Sequence, residues 1–326
     1  MKEISELKLD LVDRKILTEL DKNCRIPSTK LAKIVMKSRQ AVDYRIAQLI
    51  EKGIITGFKT SINPHKIGNK IYKIYFKLKN IAKRREDLLN YLRKSDKVYW
   101  IGENAGRWDL IFGIFAKTDY EFFELKNKII SEFNDIIAEN HGGIIVDVKQ
   151  FPKMYLTKEK LEPTTFGGKV ENNKLDRIDL RILSVIAGNA RMPIIDIANK
   201  SKSTPAIAIS RLKKLEKLGI IIQYRIEINT SKLNLENYKV IINLERYNKD
   251  DEKKLLQYIS NRHEIQYLIR NIWQLEIELV VKNFQEYYKF VEDLKSEFPN
   301  IIKTIDFTLM IKDEWTTGFE NLLVSN

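Results

Sequence analysis

The chain has 326 residues, 44% of them hydrophobic, which is enough for about two to four ordinary globular cores. No run of about 18 uncharged apolar residues occurs, so no membrane span is expected, and the charged start MKEISELKLD lacks the apolar stretch of a secretory signal. The net charge of +13 favours a polyanionic partner, while one cysteine, Cys24, and three scattered histidines (His65, His141, His263) leave no intrachain disulfide and no zinc site of familiar spacing. A reducing, cytoplasmic setting is expected.

In chain order, Leu9–Leu17 reads LDLVDRKIL, and Leu175–Leu183 reads LDRIDLRIL, 166 residues later (175 − 9). The register continues without a gap: Arg25 with Arg191, Pro27 with Pro193, Ala32 with Ala198, Arg45 with Arg211, Gly53 with Gly219. This is a tandem of two large modules, not a short-period solenoid. The excess charge sits at the start of each repeat. Residues 1–60 carry 13 basic against 8 acidic side chains and residues 169–230 carry 12 against 6, so both starts are candidates for a polyanion surface.

Each repeat opens with three short helices. Leu9, Val12, Ile16, Leu17 and Leu20 recur at helical spacing. Pro27-Ser28 starts a second helix, with Leu31, Ala32 and Val35 on one face. Ser38 caps a third, whose buried stripe is Val42, Ile46 and Leu49 and whose end is marked by Gly53. IITGFKTSI then alternates loosely around Gly57, as a small hairpin or wing would. The second copy repeats this, with Thr204 as cap and Pro205 at the first helical position.

The second part of each repeat alternates strands and helices. Residues 71–78 put Tyr72, Ile74, Phe76 and Leu78 on one face; a helix follows over 84–94. Strands at 98–103 and 109–117 flank a turn at Asn104–Arg107. A helix over 119–133 points Phe122, Phe123, Leu125 and Ile129 inward, and a last strand spans 144–151. The order β-α-β-β-α-β is that of a ferredoxin-like sandwich. The second copy matches, with WDLIFGIFAK (108–117) aligned to WQLEIELVVK (273–282) after a one-residue slip. Ile111 and Phe115 lie opposite the core-facing Leu110, Phe112 and Ile114, so this sheet is apolar on both faces and must pack on something, most simply the equivalent sheet of another module. Met154–Lys174 has Pro, Thr, a Gly pair and no periodicity, and reads as a linker.

The fold class is therefore α+β: two winged helix-turn-helix domains (1–62 and 175–229) alternating with two ferredoxin-like domains (63–153 and 230–326), joined by 154–174. This layout, with Leu9-Asp10, Asp13, Ile16-Leu17, Asn23-Cys24-Arg25, Leu31-Ala32, Ser38, Arg45-Ile46, Leu49, Gly53-Ile54-Ile55, Asn63-Pro64, Lys66-Ile67-Gly68 and Gly106-Arg107-Trp108-Asp109-Leu110, resembles the Lrp/AsnC family of feast/famine transcription regulators. The resemblance covers nearly all of both repeats. It implies sequence-specific binding to double-stranded DNA, sandwich domains that pair between subunits, and small effectors, often amino acids, held near the glycine-x-aromatic-aspartate turn. A tandem in one chain departs from the family's usual single copy and implies an intrachain pseudo-dimer and a homo-oligomer.

The residues carry the same reading. A recognition helix turns its N-terminal residues to base edges. With Val42, Ile46 and Leu49 buried, Arg39, Gln40, Asp43 and Tyr44 face outward; arginine pairs with guanine and glutamine with adenine. Ser38 caps the helix and is counted with its candidate DNA face, Lys37 and Lys59 are phosphate candidates, and Arg45 either holds phosphate or braces the domain. In the second copy the outward positions are Pro205, Ala206, Ile209, Ser210 and Lys213, poor in base-reading groups; Lys202, Thr204 and Arg211 complete its candidate DNA face. The bland alternative is a solvated helix face. Gly106, Trp108 and Asp109 form the candidate effector turn, the alternative being a plain strand-to-strand turn. The second copy has Asn271, Trp273 and Gln274 there, followed by Glu276 and Glu278. No cofactor, metal site or catalytic group is expected. The rival class is an enzyme resembling the sirohaem decarboxylases, which share this layout; the stretches GENAGRWDL and RNIWQLEIE hold no histidine, His141 falling in the loop before the last strand of the first sandwich. A third class is an interaction protein that does not bind DNA.

Overall fold

The computed structural model describes residues 9–245, 248–272 and 274–316. The first repeat runs α1 (Leu11–Lys22), α2 (Ser28–Val35), α3 (Arg39–Glu51), β1 (Ile55–Ile62), β2 (Lys70–Leu78), α4 (Ala82–Arg93), β3 (Val98–Gly106), β4 (Leu110–Ala116), α5 (Asp119–Glu132) and β5 (Ile137–Gln150). A short β6 (Thr164–Gly167) follows. The second repeat runs α6 (Arg177–Ala187), α7 (Ile194–Lys200), α8 (Pro205–Lys217), β7 (Ile221–Ile228), β8 (Glu236–Leu244), α9 (Lys249–Ser260), β9 (Ile265–Asn271), β10 (Leu275–Val281), α10 (Phe284–Glu297) and β11 (Ile302–Trp315).

Local chemistry sets the helix boundaries. The Asp10 carboxylate accepts from the Asp13 amide at 2.7 Å and starts α1, and Ser38 Oγ accepts from the Ala41 amide at 3.2 Å and starts α3. Between α2 and α3 the chain turns through Met36 in the left-handed region (φ 53°), and Gly53 (φ 67°) ends the third helix. Lys202 repeats the Met36 conformation at φ 54°, and Thr204 Oγ1 caps α8 by accepting from the Ile207 amide at 3.3 Å.

The expected wing hairpin is not formed. IITGFKTSI makes one strand, β1, which pairs antiparallel with its counterpart β7, Phe58 opposite Ile226 and Lys59 opposite Arg225. A strand edge with no hairpin partner of its own is satisfied by the other copy. Each three-helix unit then packs on the other copy's strand. Thr60 Oγ1 donates to Ile186 O at 2.7 Å, the Ala190 amide to Phe58 O at 2.9 Å, and the Cys24 amide to Tyr224 O at 2.9 Å. Arg25 reaches across to the carbonyls of Ala190 (2.7 Å) and Met192 (3.1 Å), and Arg191 reaches back to Ser28 (3.4 Å). Buried Asp21 of α1 takes both ends of the Arg225 guanidinium, at 3.0 and 2.8 Å. Leu17, Leu31, Val42, Ile182, Ile197, Leu215 and Ile226 belong to one hydrophobic core, so the two helix-turn-helix units form one body.

The two sandwiches share a sheet as well. Strands β2, β4, β3, β11, β8, β10, β9 and β5 are neighbours in that order, and β5 returns to β2, closing an eight-stranded ring with β6 attached to β5. The crossing is made by the two 14-residue strands. The first half of β5 pairs with β2 and its second half with β9; the first half of β11 pairs with β8 and its second half with β3. One face of each sheet packs on its own helices, with Tyr72, Ile74, Phe76, Leu110, Phe112 and Ile114 in the first half. The other faces meet inside the ring, which is the pairing that the doubly apolar β4 required.

That interior also holds charge. Lys73 Nζ donates to Glu276 Oε2 at 3.0 Å, Lys239 Nζ lies 3.7 Å from the same oxygen and bonds Glu278, and the Tyr75 hydroxyl donates to Glu276. Lys73 and Lys239 are equivalent (239 − 73 = 166), but the glutamates are not: in matching register Tyr75 faces Ile111 where Ile241 faces Glu276, and Lys73 faces Gly113 where Lys239 faces Glu278. Burial alone would raise the Glu276 carboxyl, but Lys73 and Lys239 outweigh it and hold it at about 2.

Three smaller expectations change. The tight turn of the first sandwich is Arg107–Asp109, because β3 continues to Gly106. Phe123 is half exposed, whereas Phe122 stacks on Tyr72 at 4.2 Å. The segment 154–174 is not a free tether: Met154 and Leu156 are buried, β6 pairs with β5, and Asn63 and His65 bind the Gly167 and Gly168 carbonyls.

Candidate nucleic-acid interface

The first recognition helix presents its predicted face. Arg39, Gln40, Asp43 and Tyr44 are exposed on α3, while Val42, Ile46 and Leu49 are buried beneath them. Arg39 Nε and Asp43 Oδ2 are 3.4 Å apart, both well exposed, and a pair of this kind is worth only a few tenths of a kcal/mol, roughly 0.3–0.5. The guanidinium is therefore free to exchange Asp43 for a base edge or phosphate at little cost. Lys37 is exposed just before the helix, and Ser38 spends its hydroxyl on the cap.

Arg45 has a different job. Its Nη1 lies 2.7 Å from both Asp10 and Asp13, tying α3 to the start of α1. Arg211 repeats this with Asp176 at 2.7 Å and Asp179 at 3.3 Å, and Lys214 adds a 2.6 Å contact to buried Asp179. Of the two alternatives for Arg45, the structure gives it the bracing contacts, and Arg211 with it. Lys59 is also displaced from its expected wing. It sits half-buried on β1, 6.0 Å from the Trp315 ring, because the hairpin that would have carried it outward does not exist.

The second recognition helix exposes Pro205, Ala206, Ile209, Ser210 and Lys213, with Lys202 exposed just before it and Thr204 capping. No amide or guanidinium stands at the positions equivalent to Arg39 and Gln40.

At the candidate effector turn, the Asp109 carboxylate accepts from Lys77 Nζ at 3.1 Å and from the Leu78 amide at 2.8 Å. Gly106 has φ 126°, and a Cβ there would lie 2.8 Å from Phe307 O. Trp108 is buried beneath the Arg107 guanidinium, 4.3 Å above its ring, and Arg107 pairs with Glu139 at 2.7 Å. The glycine and the carboxylate are thus both used inside the fold. The equivalent turn closes through Gln274 N donating to Asn271 Oδ1 at 2.7 Å; Trp273 lies outside the described residues.

The family model described as winged helix-turn-helix DNA-binding matches twice, at residues 9–56 and 175–222. The regulator LrpA of Pyrococcus abyssi is 34% identical over 128 residues, spanning 34% of this chain and 89% of its own length. The chain belongs to the Lrp/AsnC family of transcriptional regulators. The regulator Ptr1 of Methanocaldococcus jannaschii is 34% identical over 106 residues (32% of this chain, 69% of Ptr1), and the leucine-responsive regulatory protein of Haemophilus influenzae is 28% identical over 145 (44% and 87%). Each corresponds to less than half of this chain, so this Lrp/AsnC chain carries two family units. Among solved structures, the siroheme decarboxylase NirDL superposes with a TM-score of 0.64 over 96% of this chain and 97% of its own, at 14% identity, a likeness of fold.

For an Lrp/AsnC chain, two features escaped sequence reasoning. His141 is not in a loop; it lies within β5 opposite Tyr75, its ring 5.7 Å from that of Tyr75 and 6.5 Å from that of Trp108. Burial depresses its basicity, and its Nε2 has no hydrogen-bond partner among the described residues. The carboxylate partners of the Arg45 brace escaped too, although their signal was present: Asp10, Asp13 and Arg45 recur 166 residues later as Asp176, Asp179 and Arg211. Among the described residues, no group of three or more His, Cys, Asp or Glu is placed to hold a metal ion, and no helix is long and apolar enough to cross a membrane.

Proposed function

We propose that this chain is a cytoplasmic, sequence-specific DNA-binding transcriptional regulator that works as a pseudo-dimer within one chain. The observation that carries the reading is the exposed Arg39, Gln40, Asp43, Tyr44 face on a capped, braced α3. In this reading α3 reads base edges and Lys37 holds phosphate, while α8 with Lys202, Ser210 and Lys213 adds grip without hydrogen-bonded base readout. The shared core and the β1–β7 ladder support treating both helices as parts of one DNA-binding body.

Band-shift titration over a range of salt tests it. Arg39→Ala with Gln40→Ala should flatten the preference among sequences, and Lys213→Ala should weaken all DNA about equally and lower the salt slope by about one. Equal loss of specificity from both changes would sink the division of labour. An amino-acid effector at Gly106–Asp109 would have to displace Lys77 from Asp109; heat on titrating amino acids into the wild type, absent in Asp109→Asn, would establish that site.

The rival reading is enzymatic, favoured by the whole-chain fold likeness to NirDL and by His141 beside Tyr75 and Trp108. We place the chain outside it on the strength of its regulator relatives. A purified protein that takes up added iron-uroporphyrin, with a shifted visible spectrum lost in His141→Ala, would reverse that choice.

A further inference from the structure

The second recognition helix has an unusual surface for its place. At the positions equivalent to Arg39, Gln40 and Asp43 it carries Pro205, Ala206 and Ile209, all exposed. Ile209 is 43% exposed on a helix whose buried stripe, Ala208, Leu212 and Leu215, is complete without it. Packing of its own domain therefore does not account for it. Its flanks are cationic, with Lys202 before the helix and Lys213 one turn on, which suits a polyanion and disfavours a purely apolar protein partner. The helix is held firmly, by the Thr204 cap and by Arg211 and Lys214 on Asp179, and it shares one core with the domain that carries α3. A surface so held belongs to the same rigidly packed body as the α3 face.

Base edges in the major groove present one apolar group, the 5-methyl of thymine. A β-branched isoleucine on a helix is already fixed in rotamer, so it meets a methyl without much loss of freedom. We propose that α8 selects thymine through its 5-methyl group, with Ile209 as the principal contact and Ala206 and Pro205 beside it. The inference rests on the DNA-binding reading and adds to it: the second copy reads no hydrogen-bond pattern, yet it is not indifferent to sequence.

Deoxyuridine tests this, because it removes the methyl and leaves every hydrogen-bonding group of thymine in place. The full chain is bound to its selected duplex, then to duplexes with all thymines of one half of the site, or of the other, replaced by deoxyuridine. Affinity should fall in one half only, about three- to fourfold per contacted methyl, the burial value of one such group. Ile209→Ser should abolish that difference, and Ile209→Val should keep most of it. Salt-dependent DNA binding with equal affinity for thymine and uracil duplexes overturns the inference and leaves the regulator reading standing. The same thymine-to-uracil ratio in wild type and Ile209→Ser overturns it also. No salt-dependent binding to any DNA overturns the regulator reading and this inference with it.

Discussion

Replacing Glu276 by isoleucine should cost more than a cavity-free apolar substitution normally would. Glu276 is fully buried and accepts from Lys73, Tyr75 and Asn271 while Lys239 lies 3.7 Å away. Lys239 keeps Glu278, but Lys73, buried against Gly113, loses the carboxylate it bonds directly, and orphaning a buried charge costs about 3–5 kcal/mol. Removing both charges should recover most of the loss, since a buried pair replaced by apolar residues is close to neutral. The other half of the ring supplies the pattern: Ile111 stands where Glu276 does, and Ile241 where Tyr75 does. Lys73→Met with Glu276→Ile, and Tyr75→Phe added to remove the stranded hydroxyl, should come within about 1–2 kcal/mol of wild type. Urea denaturation of the two singles and the double gives the coupling, expected at about 2–4 kcal/mol. Additive singles, with coupling below about 0.5 kcal/mol, would refute the charge-pairing account. The same arrangement bears on assembly. Two first halves paired together would bury two lysines against isoleucine and glycine, whereas pairing first with second supplies a carboxylate for each.

Further outcomes follow from the same contacts. Asp21→Ala strands buried Arg225 at the joint between α1 and β7 and should destabilise the chain by about 3–5 kcal/mol in the same urea assay. The carboxyls of Asp21 and Glu276 are both held below their ordinary values, Asp21 because Arg225 and Lys153 outweigh burial. A depressed folded value means stability that is present above the unfolded value, near pH 4, and is lost as pH falls toward about 2. Acid unfolding followed by circular dichroism should start in that window, and Lys73→Met with Glu276→Ile should flatten part of it. Gly106→Ala combines φ 126° with a 2.8 Å clash on Phe307 O and should cost well over about 2 kcal/mol, whereas Gly168→Ala, at φ 78° with open space around it, should cost only about 1–2. Comparable losses at the two glycines would put the Phe307 contact in doubt.

Much of this architecture was legible because it is local. Helix periodicity, the caps at Ser38 and Thr204, the left-handed Gly53 and Gly219, and the outward Arg39–Tyr44 face are all written in short windows. What failed was pairing at a distance. A strand such as β1 carries no mark of its partner, and a hairpin and a cross-copy ladder share one local pattern. The strand β5 is longer than its sequence suggests: Glu139, Asn140, His141 and the glycine pair look like a loop, yet they pair with β2. The packing of the second sheet face was legible from Ile111 and Phe115, but alternation with apolar neighbours does not tell that Lys73 and Glu276 meet inside it; their pairing is again a contact at a distance.

In the proposed reading, α3 and α8 act as two unequal recognition helices of a single body. Selection of bound duplexes from random DNA by the intact chain tests it most directly. One continuous, asymmetric site is expected, with guanine or adenine preferred in one half and that preference lost in Arg39→Ala with Gln40→Ala. A palindromic site with equal preferences in both halves, or no enrichment at all, would contradict it.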